Sequence, residues 1–71
     1  GVVRRILNML KPEHREVIKA LKKDGEASYK GHSFIFDDVT NDVEVQHEGQ
    51  YFVTLNAQWE LEEFLEGLEE Q

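Results

Sequence analysis

The sequence predicts an α+β fold of order ααβββα, with the helices packed on one face of a three-stranded antiparallel sheet. Three observations carry that expectation. Apolar residues recur at helical spacing near both ends of the chain, they alternate with a period of two in the middle, and turn-forming residues separate the segments. The 71 residues amount to a single domain over residues 1–71, near the lower size limit for folding without a disulfide or a metal. With 39% apolar and 32% charged residues, the chain has too much Ile, Leu, Val and Phe for a disordered segment. No apolar run is long enough to span a bilayer, and "GVVRRILNML" is too short and too interrupted for a signal peptide. The absence of cysteine removes disulfide frameworks and thiolate metal sites and is compatible with a cytoplasmic setting, the localisation expected here. Gly1 in place of methionine suggests a processed, tagged or excised start, so an accessory domain cut from a larger protein is also considered.

The elements follow in order. "VVRRILNML" sets Val2, Val3, Ile6, Leu7, Met9 and Leu10 on one arc at about 100° per residue, which predicts a short amphipathic helix. Pro12 ends it and suits the first turn of a second helix, where its missing N–H would have had no partner. In that helix His14, Val17, Ile18 and Leu21 form the buried stripe, Lys22 and Lys23 favour the last turn, and Gly25 stops it. From "EASYKGHSFIFDD" the period becomes two: Lys30-Gly31 is expected to bend or bulge a first strand in which Phe34 and Phe36 share a face and Ile35 takes the other. "DDVTND" is a polar turn. "VEVQ" and "YFVTL" then form a hairpin that two registers could close. A two-residue loop at Glu48-Gly49 pairs Val45 with Phe52 and sets the valines of the two strands on opposite faces. A type I turn centred on His47-Glu48 with a Gly49 bulge pairs Gln46 with Gln50 and gathers Val43, Val45, Tyr51, Val53 and Leu55 on one face, and is preferred. The other face then carries Glu44, Gln46, Gln50, Phe52 and Thr54, with Ile35 nearby. A last helix begins near Asn56, a good N-cap residue, with Ala57, Leu61, Phe64, Leu65 and Leu68 as its apolar stripe.

The motifs that would name a reaction are missing. His14 sits on an apolar stripe and His47 in a turn, as core or surface histidines do. The cluster of Asp37, Asp38, Asn41 and Asp42 lacks the glycine, the alternate ligand spacing and the distal glutamate of a calcium loop. Ser28 and Ser33 have no nucleophile-elbow context, no glycine-rich loop precedes a helix, and nothing selects one carboxylate pair for acid/base work. A non-catalytic protein is expected, with no catalytic residue, metal or cofactor.

Charge is the stronger signal. All eight Lys and Arg lie within residues 1–30 against four acids there, a net of +4, whereas residues 31–71 hold eleven acids and no Lys or Arg. Such asymmetry speaks about partners rather than fold. On the last helix the apolar stripe centres near about 20° and Trp59 falls near about 200° when Ala57 is taken as the origin. Glu62, Glu63, Glu66, Glu69 and Glu70 lie around it, so Trp59 projects from a carboxylate face. Arrayed carboxylates can imitate a nucleic acid backbone and release the counterions of a basic groove, and a tryptophan is the type of residue that anchors such a contact. The bland alternative is a solvated helix back, with Trp59 folded onto the sheet or a loop.

In size, in the Asp37/Asp38/Asp42/Glu44/Glu48 cluster and in the Glu60–Glu70 helix, the chain resembles small, acidic, cysteine-free phage inhibitors that act as DNA mimics. These include uracil-glycosylase inhibitors, some anti-CRISPR proteins, restriction inhibitors and inhibitors of the histone-like nucleoid protein HU made during host takeover, the last being closest in length and character. The resemblance is compositional, and the basic residues 1–30 depart from the most acidic members. It implies a basic DNA-binding protein, a nucleoid protein or similar, as partner in a host cytoplasm. Contact would run through Trp59, Glu62, Glu63, Glu66, Glu70, Asp37, Asp38, Asp42 and Glu44. Ile35 and Phe52, two large apolar groups expected on the outer sheet face, point to a homodimer through that face. No membrane is implied, nor direct binding to nucleic acid. The alternative reading is a small regulatory DNA-binding or transcription-associated module. It would use the basic N-terminal helix pair, where Arg15, Lys19, Lys22 and Lys23 share a face and "LNMLKPEHREVIKAL" is similar to the helix-turn-helix of sigma-type regulators.

Overall fold

A computed structural model describes residues 11–70, and the first predicted helix lies outside them. Helix α1 (Pro12–Asp24) starts where Lys11 is still extended and ends at Gly25, whose φ of 81° lets its N–H close back on the Leu21 carbonyl at 3.0 Å. His14, Val17 and Leu21 are buried, as their spacing requires.

Among the described residues the sheet has four strands, not three. The segment expected to be one bent strand is a hairpin of β1 (Glu26–Tyr29) and β2 (His32–Asp37), with Tyr29 opposite His32. Lys30 and Gly31 both take positive φ, 46° and 75°, the geometry of a two-residue turn whose twist matches that of the strands it joins. β3 (Asp42–His47) and β4 (Gln50–Leu55) complete an antiparallel meander of order β1-β2-β3-β4. The β2–β3 loop is the expected polar turn: Asp37 Oδ1 accepts the Val39 N–H at 2.9 Å, and Asn41 takes a φ of 65°.

Neither register considered for the second hairpin is the one formed. His47 pairs with Gln50 across a two-residue Glu48-Gly49 turn, both with positive φ, and Gln46 pairs with Tyr51; Val45 then pairs with Val53, leaving Phe52 as the extra residue of a bulge. The tight turn satisfies strand twist, and the bulge returns Val53 and Leu55 to the face of Val43 and Val45. Tyr51 is therefore not on the core face: it lies beside Gln46, exposed, with its hydroxyl 2.9 Å from Thr54 Oγ1. Phe52 is not on the outer face beside Ile35 either. It turns toward the helices and packs edge-on to Phe64, with centroids 5.9 Å apart, and to His32. Ile35 remains on the outer face, so the pair of apolar groups that motivated a dimer through that face is not assembled.

Helix α2 (Gln58–Glu69) closes the core. Its Leu61, Leu65 and Leu68 meet Val17 and Leu21 of α1 and Phe34, Val45 and Leu55 of the sheet, with Phe64 and Ile18 at the margin. Both helices lie on one sheet face and run antiparallel to each other: Lys11 and His14 at the start of α1 meet Glu69 at the end of α2, while Ile18 and Leu21 share a hollow with Ala57 and Leu61. Among the described residues no helix is long and apolar enough to cross a membrane.

Candidate functional site

Gln58, Trp59, Glu63 and Glu66 of α2 and Glu70 at its C-terminal cap are exposed, and the last four form one row. Their spacing of four, three and four residues aligns them within a stripe about 60° wide and about 16 Å long on the helix back. The local sequence explains why the helix begins just ahead of Trp59. Ala57 is the extended cap residue and offers no side-chain bond; Asn56, the expected cap, gives its side-chain Nδ2–H to Asp42 Oδ1 at 2.9 Å. Glu60 reaches back instead, its Oε1 accepting the Asn56 backbone N–H at 2.8 Å. Trp59 does not fold against the sheet: 63% of it is exposed.

The stripe carries an electrostatic cost. Glu63 and Glu66 are three residues apart and Glu66 and Glu70 four, spacings at which like charges repel by roughly 0.2–0.5 kcal/mol per pair. Glu66 and Glu70 also approach the negative end of the helix dipole. α2 has no basic residue in its last turn, and among the described residues no cation lies within ion-pair distance of Glu63, Glu66 or Glu70.

Two neighbouring glutamates have other work. Glu62 is only 8% exposed and accepts a bond from Gln58 Nε2 at 3.0 Å, which removes it from the expected contact face. Glu69 turns toward α1 and the first hairpin, where it accepts Lys11 Nζ at 2.8 Å, Lys30 Nζ at 3.2 Å and the Tyr29 hydroxyl, with His14 Nε2 at 3.2 Å. The Lys11 ammonium foremost, then the Tyr29 phenol and the His14 ring, hold its carboxyl far below the usual range against the opposing pull of burial. Reciprocally, the bond to Glu69 pushes the Tyr29 phenol up to about 12. Helical periodicity alone places Glu69 among the surface carboxylates. Its place at the flank of the stripe was the available signal, but the basic residues that reach it come from α1 and a turn, positions set only by the tertiary fold.

The aspartates form a separate site. Asp37 and Asp42 face each other across the β2–β3 pair, and with Asp38 and Glu44 they surround a shallow depression that also includes Ile35 and Thr54. Glu44 bonds Gln46 Nε2 at 2.7 Å on the sheet face opposite the helices. One flat partner therefore cannot touch Glu44 and Glu66 together: with Glu62 buried, the other eight expected contact residues divide into two surfaces.

α1 presents the opposite charge. Arg15, Lys19 and Lys22, spaced by four and three, lie exposed in one stripe with Lys23 beside it, and none has an ion-pair partner among the described residues. Lys22 and Ile18 border the hollow whose other wall is Gln58 and Leu61, so the C-terminal end of this stripe borders α2. At the opposite end of the sheet His32 stacks on His47, with centroids 4.3 Å apart, and its Nδ1–H donates to the Lys30 carbonyl at 2.8 Å. Among the described residues no three His, Asp or Glu side chains converge as a metal ion would require.

Comparison of the chain with protein-family models, with curated proteins and with solved structures finds no match in any of the three.

Proposed function

We propose that the protein is a non-catalytic binding protein that blocks a basic, nucleic-acid-binding protein through the acidic back of α2. The observation that carries this reading is the row Trp59, Glu63, Glu66 and Glu70, exposed and, among the described residues, with no cation in ion-pair distance of its glutamates. A helix that keeps like charges at repelling spacings around an exposed indole gives up local stability that a few lysines would restore, and such local conflicts gather at functional surfaces. A basic groove supplies the missing cations and releases its own counterions on contact, while the indole offers a large apolar anchor at the end of the row. The four aspartate-cluster residues Asp37, Asp38, Asp42 and Glu44 lie outside this contact.

The test is passage over an immobilised HU-type basic protein and over immobilised DNA, at low and moderate salt. Retention on the basic protein, lost with salt and lost when Glu63, Glu66 and Glu70 are changed to glutamine, is the expected result. Retention on DNA, weakened by Arg15→Gln and Lys19→Gln, would replace this reading with the second one. In that case the exposed row of Arg15, Lys19, Lys22 and Lys23 on α1 would be the functional surface.

A further inference from the structure

The helical layer carries two antiparallel rows of opposite charge, and neither row is paired among the described residues. Arg15, Lys19 and Lys22 rise along the exposed side of α1, Lys22 bordering α2; Glu70, Glu66, Glu63 and Trp59 descend along the back of α2. The levels of the two rows are fixed by contacts already described. His14 stands opposite Glu69, and Lys22 shares a hollow with Gln58 and Leu61. Arg15 is therefore level with the Glu66–Glu70 turn, Lys19 with Glu63 to Glu66, and Lys22 with Trp59 to Glu63.

We infer that a second copy of this chain docks on the helical layer, with the α1 basic row of each copy lying on the α2 acidic row of the other. A two-fold axis in the plane of the layer, parallel to the helices and midway between them, exchanges α1 with α2 while preserving level along the axis. It sets Arg15 near Glu70, Lys19 near Glu66 and Lys22 against Glu63 and the Trp59 ring, and it does so twice, as an isologous contact requires. An ammonium or guanidinium over an indole adds cation–π attraction to the ion pairs. The inference concerns the charge geometry of this layer and is independent of any external partner. The layer is small, with α1 about 20 Å long and the two axes about 10 Å apart, so the dimer belongs to the weak, reversible class. Because the same α2 row is used, a basic partner and a second copy compete for it, and partner binding converts the dimer to a complex holding one copy.

Sedimentation velocity of the 71-residue chain over a concentration series tests this without a partner. The expected result is a monomer–dimer equilibrium at low salt whose dissociation constant rises at least about tenfold near 1 M salt, where the Debye length falls to about 3 Å. Lys19→Glu and Glu66→Lys, both at exposed positions, should each shift the chain to monomer with an unchanged circular dichroism spectrum. The double variant should restore the dimer, because the exchanged charges meet again across the two-fold. Monomer at every concentration at low salt would overturn the inference, as would a dimer indifferent to the single charge reversals or not restored by the double one. Binding to a basic protein by a chain that remains monomeric would overturn the dimer and leave the proposed function standing.

Discussion

Glu69 shows how much of this molecule's charge is structural rather than functional. Its carboxylate gathers Lys11, Lys30, Tyr29 and His14 from three parts of the chain, tying the start of α1 and the first hairpin to the end of α2. Because its folded pKa is depressed, its contribution to stability is complete above the usual 4.5 and is lost progressively as pH falls below that value. Tyr29 has the opposite sign: its folded pKa is raised, so its contribution is complete below 10 and is lost as pH rises from 10 through about 12. Thermal unfolding across pH should show both edges, and Glu69→Gln should flatten the acid edge while lowering the melting temperature at neutral pH. A melting temperature for Glu69→Gln equal to that of the parent from pH 3 to pH 7 would contradict the assignment. His14, fully buried beside this cluster, has its Nδ1 without a partner among the described residues. It sits on the apolar stripe where its spacing placed it.

The elements show which local signals were legible and which were not. The stripes His14/Val17/Leu21 and Leu61/Leu65/Leu68 were readable because helical burial follows a fixed period, and the structure buries those residues. The hairpins were harder because a two-residue turn needs positive φ at both positions, and neither Lys30-Gly31 nor Glu48-Gly49 has the asparagine or aspartate that usually announces one. Treating Lys30-Gly31 as a bend merged two strands into one. At the second turn, matching apolar faces with a regular ladder forced a choice that the Phe52 bulge makes unnecessary. A bulge leaves no fixed mark in the sequence, so the exchange of Tyr51 and Phe52 between faces was invisible beforehand. The turn geometry has a direct consequence: Glu48→Asn places a residue that tolerates positive φ at a position where glutamate is strained. It should raise stability by roughly 0.5–1 kcal/mol in urea unfolding without changing the denaturant slope. A loss of stability would show that Glu48 does not take the left-handed conformation.

At the scale of the molecule, the described residues form one small core closed by two helices on a four-stranded sheet, and its largest fully buried apolar side chains are Phe34, Leu65 and Val45. Leu65→Ala removes the centre of α2 from that core and should cost about 2–5 kcal/mol, a large share of what a domain of this size possesses. Equilibrium unfolding measures it, and a change below about 1 kcal/mol would mean that α2 is not packed as described. The sequence's division into a basic third and an acidic remainder was plain from the start, but its meaning depended on tertiary placement. Folding sends Lys11 and Lys30 to Glu69, buries Glu62, puts Glu44 behind the sheet, and leaves Arg15, Lys19 and Lys22 on one helix beside Glu63, Glu66 and Glu70 on the other. The proposed contact surface is narrower than composition suggests, a single row led by Trp59.

Trp59 is the chain's only tryptophan and stands on that row, so its fluorescence reports the proposed contact directly. Titration with an HU-type basic DNA-binding protein at low salt should shift and saturate the emission, reverse on addition of competing DNA, and fail in the variant carrying Glu63→Gln, Glu66→Gln and Glu70→Gln. An emission spectrum that stays unchanged through the titration, or a response that the triple variant retains in full, would contradict the assignment of the α2 back as the binding surface.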